Sequence, residues 1–251
     1  VLGLDADAIA RKLKDEDVRD FPNMYRVLLQ AYAAKHGRRG WGDKTHLDYN
    51  FVEWLLDSYR DARIVCVIRD PRATVASLLR APWSSGKAFY YALQWRETMS
   101  IVNGFEDKDR VLIIQYEDAV SSIDETLARI CAFIGVSTDD AMLKRSEDPS
   151  PVTSDNSWSL GNWWQQHKEK ALGPVSTESI DRWKEELSPY EIAIIEHLCS
   201  DGMRAWGYVS TTDALAPGQL VRLTWERTMR VLRGLLRARR GRPRSIFSPR
   251  A

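Results

Sequence analysis

Three cysteines in 251 residues, no hydrophobic run close to the roughly 18 residues of a membrane-spanning helix, and no GxxxxGK followed by Ser or Thr are the first facts of this sequence. Each absence removes a class. Cys66, Cys131 and Cys199 have no metal-ligand spacing, and their odd number argues against a complete disulfide framework, so inert core thiols are expected. Without the glycine-rich phosphate loop the chain does not read as a nucleotide kinase or another P-loop phosphotransferase. The start lacks the basic, apolar and small-residue pattern of a secretory signal, which makes a cytoplasmic protein the expectation, with association to a membrane surface left open by the C-terminal segment. No charge sign dominates either: 36 Lys and Arg against 35 Asp and Glu give +1. The 44% hydrophobic fraction is ordinary and the length suffices for one main domain with a sizeable core.

What is present centres on RIVCVIRDPRATVASLLR, Arg63 to Arg80. Ile64 to Ile68 reads as a strand buried on both faces. Asp70 as N-cap and Pro71 at the first helical position then start a helix at once. Arg69 lies at the carboxyl end of the strand and Ser77 about two helical turns on, so both can face the crevice where open α/β sheets bind ligands. A cation and a hydroxyl there suit a phosphate. The bland alternative is a surface ion pair beside an indifferent serine.

Around it, helices are expected from Asp5 to Lys14, Asn23 to His36 and Leu47 to Tyr59. A longer one lies between Pro82 and Phe105, opening with a loop to Lys87 and carrying a core stripe of Tyr91, Trp95, Met99 and Val102. Val111 to Ile114 reads as a second buried strand, and Ser122 with Glu125 as a capping box opening a helix that Gly135 stops. Two strand-then-helix units in series predict an α/β fold, a parallel sheet flanked by helices. Arg145 to Val175 has no clear periodicity but holds Trp158, Trp163, Trp164, His167, Lys168 and Lys170, and a loop of that length is expected to be functional or disordered. A helix then runs from Ser176 to Leu187, and Ser188, Pro189 and Glu191 start another that reaches about Arg204.

The order WGDKTH (Trp41 to His46), IRDPRATVAS and QYEDAV (Gln115 to Val120) followed by SSIDETLARICAFIGV resembles the sulfotransferases that use 3′-phosphoadenosine 5′-phosphosulfate, especially the bacterial branch and its carbohydrate and tyrosyl relatives. The resemblance runs from about Trp41 to Tyr208. It implies a P-loop NTPase-like sulfotransferase fold, N-terminally incomplete, because the family's opening strand and Pro-Arg-Ser-Gly-Thr loop are not found; GRRGWGDK at Gly37 to Lys44 has the wrong spacing. It also implies that Arg69 and Ser77 hold the 3′-phosphate of the donor, and that Lys44 lies near the transferring sulfonate. His46 stands where the family usually has Pro; it is a tempting general base, although a lone His there is more often incidental. The loop resembles the family's region over cofactor and acceptor, where Lys168 and Lys170 could reach the nucleotide phosphates. Sulfonate transfer to a hydroxyl or amine of an acceptor needs no metal in this scheme, and the acceptor stays open among carbohydrate, peptide, lipid and small molecule. The alternative is a non-catalytic protein that keeps a degenerate nucleotide-binding scaffold and works through a membrane or a partner.

The domain expectation is accordingly a sulfotransferase-like unit over residues 1–210, a linker at 211–218, a basic amphipathic helix at 219–240 and a disordered tail at 241–251. Ten arginines against the single acid Glu226 in residues 219–251 leave the rest of the chain at −8. Val221, Trp225, Met229, Leu232 and Leu236 fall on one stripe, and Arg222, Arg230, Arg233, Arg237 and Arg240 on another. Such a helix suits an anionic membrane or an acidic partner; packing on its own acidic domain is the competing reading. Nucleic acid is a weaker guess, since few aromatic residues interleave with the arginines.

Overall fold

The computed structural model describes residues 3–44, 48–105, 109–142, 176–213, 215–225 and 228–229. It divides into two units, Val1–Ile64 and Val65–Ala251.

The first unit is helical. α1 (Ala6–Asp15) starts where the Asp5 carboxylate accepts the amides of Asp7 and Ala8, and α2 (Phe21–Lys35) where Asp20 accepts that of Asn23. A 3₁₀ turn at Asp48–Phe51 leads into α3 (Val52–Ser58). Val27, Ala33, Val52 and Leu56 are its buried apolar residues. The rings of Phe21, Tyr25, Trp41, Trp54 and Tyr59 form a connected set, and Tyr59 Oη donates to the Pro22 carbonyl at 2.6 Å.

β1 (Ile64–Ile68), which belongs to the second unit from Val65 on, and β2 (Val111–Gln115) form a two-stranded parallel sheet among the described residues. Between them run α4 (Pro71–Leu79) and α5 (Ala88–Asn103); α6 (Tyr116–Ser121), α7 (Ile123–Ile134), α8 (Glu178–Asp181), α9 (Trp183–Glu186) and α10 (Pro189–Ala205) follow. The strand–helix order and the parallel sheet are those expected. The full burial of β1 is not: Cys66 and Ile68 are buried while Val67 is half-exposed, the alternation of a sheet covered on one face.

The Trp95, Met99 and Val102 stripe of α5 is core, facing α10. At Gly202 the two helices come so close that a Cβ would lie 2.7 Å from Trp95 Cζ3 and 3.3 Å from Met99 Cβ. Gly202→Ala is therefore expected to destabilise the second unit by about 1–3 kcal/mol through overpacking, read as a fall in denaturation midpoint; an unchanged midpoint would show that Trp95 can move aside without cost.

Two local expectations change. After β2, Tyr116, Glu117 and Asp118 open α6. Ser122 sits between α6 and α7 with its amide given to the Asp118 carbonyl, at φ −138° and ψ 64°, and its side chain makes no cap bond, so the expected box with Glu125 does not form. The Ser176 to Leu187 helix is two short pieces, α8 and α9. The Ser188 box does form, with the Ser188 amide donating to Glu191 Oε2 at 2.9 Å and the Glu191 amide to Ser188 Oγ at 3.3 Å.

The residues read as the start of a linker are tied down. Thr211 and Thr212 each donate an amide and a hydroxyl to Glu196, and Leu215 is buried. Residues 217–225 are helical, and helix is described again at 228–229. Most of the expected basic helix and all of the tail, 241–251, lie outside the described residues. Among the described residues no helix is long and apolar enough to cross a membrane.

Candidate functional site

The turn from β1 into α4 is fixed by charge. Asp70 caps α4 by accepting the Arg72 amide at 2.7 Å, and the same carboxylate takes Arg72 Nε at 3.0 Å and Nη2 at 2.6 Å. A helix N-terminus already holding a carboxylate is not free for a second anion. Arg72 is buried, lies 4.1 Å above the Trp183 ring, and gives Nη1 to Glu196 Oε1 at 2.7 Å and to the Val209 carbonyl at 3.0 Å. Burial works against its charge, but the two carboxylates hold its pKa above the ordinary value. Its charge is thus consumed within the fold.

Arg69 is placed differently. Its carbonyl accepts Trp95 Nε1 at 2.9 Å, which locks the backbone to α5. Its guanidinium lies 4.4 Å over the Tyr116 ring and gives Nη2 to the Ser179 carbonyl, while Tyr116 Oη and Ser179 Oγ are 2.8 Å apart. Nε is buried with no hydrogen-bond partner. Burial pushes the pKa of Arg69 down, opposed by Tyr116 and Glu117 and reinforced by Arg80, yet a guanidinium stays protonated at neutral pH. A half-buried guanidinium with its Nε unpartnered, at the carboxyl end of a strand, is suited to an incoming oxyanion.

Glu117 holds the other side of the turn. Its Oε1 accepts the Asp70 amide and its Oε2 the Tyr208 hydroxyl, each at 3.0 Å. Burial and this carboxylate push the Tyr208 phenol well above its usual pKa, so it remains a donor. The Tyr116-Glu117 pair therefore orients Arg69 from below and braces the turn beside it.

Ser77 lies on α4, partly exposed, and its hydroxyl makes no hydrogen bond to a described residue. Arg69 and Ser77 are thus carried by one continuous strand–turn–helix element. Lys44 is described in the first unit, exposed, next to Asp43, whose carboxylate accepts Tyr25 Oη at 2.9 Å. His46, Lys168 and Lys170 lie outside the described residues. Tyr116, Ser179 and Trp95 were not singled out as site residues from the sequence. Ser179 is 110 positions from Arg69 and sits in no motif, so nothing local could have found it. Among the described residues no cluster of His, Cys, Asp or Glu is placed to hold a metal ion.

Comparison with known proteins agrees on one family. A protein-tyrosine sulfotransferase of Drosophila melanogaster is 24% identical over 160 residues, 60% of this chain and 31% of that protein. Carbohydrate sulfotransferase 3 of Tetronarce californica is 25% identical over 187 residues, 65% of this chain and 40% of that protein. The chain thus spans well under half the length of these two relatives. Among solved structures, the sulfotransferase domain from the Synechococcus PCC 7002 olefin synthase superposes with a TM-score of 0.59 at 21% identity, covering 83% of this chain and 72% of that one. The sulfotransferase domain from the curacin biosynthetic pathway gives 0.53 at 17% identity, covering 79% and 74%. These likenesses establish an α/β sulfotransferase fold. With the sulfotransferase family model matching residues 5–140, more than half of the chain and both the Lys44 and the Arg69 segments, the chain belongs to the sulfotransferase family.

Proposed function

We propose that this chain transfers a sulfonate group from 3′-phosphoadenosine 5′-phosphosulfate to a hydroxyl or amine of an acceptor, leaving adenosine 3′,5′-bisphosphate. The observation that carries the reading is Arg69, a guanidinium fixed at the end of β1 with its Nε buried and unpartnered. A 3′-phosphate would complete its hydrogen bonding and offset its desolvation, with the Ser77 hydroxyl as a second donor from the same element. Lys168 and Lys170 are proposed to add contacts to the phosphates.

In the reaction the acceptor oxygen or nitrogen bonds to sulfur, the bond from sulfur to the bridging oxygen breaks, and the acceptor's proton leaves. Negative charge grows on the departing oxygen, so a positioned cation is the main catalytic need. Lys44 is proposed for that role. His46 is the proposed candidate for taking the proton. The two relatives named for tyrosyl and carbohydrate acceptors support peptide and sugar hydroxyls as acceptor classes.

Calorimetric titration with adenosine 3′,5′-bisphosphate, beside adenosine 5′-monophosphate as control, tests this. The bisphosphate is expected to bind selectively. Arg69→Ala is expected to weaken it by about 2 kcal/mol, roughly thirtyfold, for a lost charge-assisted phosphate contact, while hardly moving the monophosphate. Equal losses for both ligands would remove Arg69 from the 3′-phosphate.

A further inference from the structure

Three arginines of the strand–turn–helix element that carries the candidate site close on one stretch of chain. Arg69 gives Nη2 to the Ser179 carbonyl on α8, Arg72 lies over the Trp183 ring on α9, and Arg80 gives Nη1 to Glu186 Oε2, also on α9. Their states differ. Arg72 is buried and already paired with both Asp70 and Glu196. Among the described residues, the hydrogen bond of Arg69 ends on a neutral carbonyl, and Glu186 is the one hydrogen-bond partner of Arg80. The Arg80 side chain is 42% exposed and that of Glu186 27%. An ion pair this open to water is weak and readily exchanged.

Arg80 shares a face of α4 with Ser77. It follows Ser77 by three residues, and its backbone at φ −76° and ψ −18° is still helical, so the two side chains are neighbours on the helix surface. A helical side chain leans toward the N-terminus of its own helix, which brings the Arg80 guanidinium back over Ser77 toward the end of β1. Arg69 registers that approach: burial is the first cause of its lowered pKa, and the Arg80 charge works in the same direction. Two guanidinium groups thus converge on one hydroxyl, without the pair of carboxylates that encloses Arg72. Like charges so placed favour an anion between them. A phosphate monoester has both the charge and the oxygens to accept from Arg69, Ser77 and Arg80 together.

We infer that Arg80 is a second cation of the proposed 3′-phosphate site and that the Glu186 carboxylate competes with the phosphate for it, so that Glu186 holds down the affinity for the nucleotide. The inference rests on the proposed use of 3′-phosphoadenosine 5′-phosphosulfate. Its rival is a purely mechanical pair that ties α9 to α4. The two differ in sign: cutting a tie from either end weakens binding, whereas removing a competitor strengthens it.

Calorimetric titration of the whole chain with adenosine 3′,5′-bisphosphate and adenosine 5′-monophosphate tests it, on wild type, Glu186→Gln, Arg80→Gln and the double variant. Glu186→Gln is expected to bind the bisphosphate about threefold tighter or better, the range that release from an exposed ion pair allows. Arg80→Gln is expected to bind it about fivefold more weakly, and the double variant no tighter than Arg80→Gln, since the gain runs through Arg80. The monophosphate should hardly respond to any of the three. Equal or weaker bisphosphate binding by Glu186→Gln would overturn the inference and leave the mechanical tie. A gain that persists in the double variant would also overturn it, by making the effect one of overall charge. Wild type that binds both nucleotides alike, or neither, would instead overturn the donor reading, and the role of Arg80 with it.

Discussion

Glu196→Ala is expected to cost the second unit about 3–5 kcal/mol of stability, the magnitude seen when one partner of a buried ion pair is removed. The side chain is 3% exposed and accepts from Arg72, from both Thr211 donors and from both Thr212 donors. Alanine leaves the Arg72 guanidinium with Asp70 as its one carboxylate and strands two threonine amides and two hydroxyls. Urea denaturation at neutral pH measures this, and a loss under about 1 kcal/mol would mean that water replaces the carboxylate freely. The same residue sets a pH dependence. Burial alone would raise the Glu196 pKa, but the hydrogen bonds from Thr212 and Thr211 outweigh it and hold the value below 4.5. A carboxyl depressed in the folded state contributes stability that is complete above the unfolded value and is lost as pH falls through the folded one. Wild-type stability should therefore decline below about pH 4.5 more steeply than that of Glu196→Gln, which cannot titrate there. Parallel acid limbs for the two proteins would contradict the assignment.

Lys44→Ala is expected to lower turnover of the proposed reaction about 10²- to 10³-fold, the usual loss when a single donor to a developing oxyanion is removed, while the affinity for adenosine 3′,5′-bisphosphate changes little. The asymmetry follows from where charge grows: the bridging oxygen becomes negative during transfer, and a bound product without the sulfonate does not report that charge. Steady-state rates with titrations on the same variant separate the two effects. Unchanged turnover would remove Lys44 from the reaction; equal losses in turnover and affinity would make it a binding residue.

The part of the candidate site legible in the sequence was the part encoded locally. A β-branched run, Asp70 and Pro71 fall within a few residues of each other, and strand, cap and helix formed where that pattern placed them, carrying Arg69 and Ser77 with them. The Ser188 box succeeded for the same reason. The Ser122 box failed because α6 claims the preceding backbone, a competition that a four-residue pattern does not contain. How the groups that orient Arg69 come together was not legible: Tyr116 and Ser179 meet across 63 positions and Trp95 reaches the Arg69 carbonyl across 26. The run from Thr211 to Gly218 reads as a linker on composition, and its two threonines acquire a structural role through a glutamate fifteen or more residues earlier whose burial no local pattern signals. The half-exposed face of β1 has a similar origin, since an apolar run states what a strand can bury and not how many layers are present to bury it.

All three cysteines are buried and all three belong to the second unit, on β1, α7 and α10. Burial pushes the Cys66 thiol up to about 11 and that of Cys199 up to about 12, so neither is an effective nucleophile in the closed state. The first unit contains no sulfhydryl. A thiol-modifying reagent applied to the native protein therefore reports opening of the second unit alone, and its pace under mild conditions is a clock for the element that carries Arg69, silent about every motion of residues 1–64.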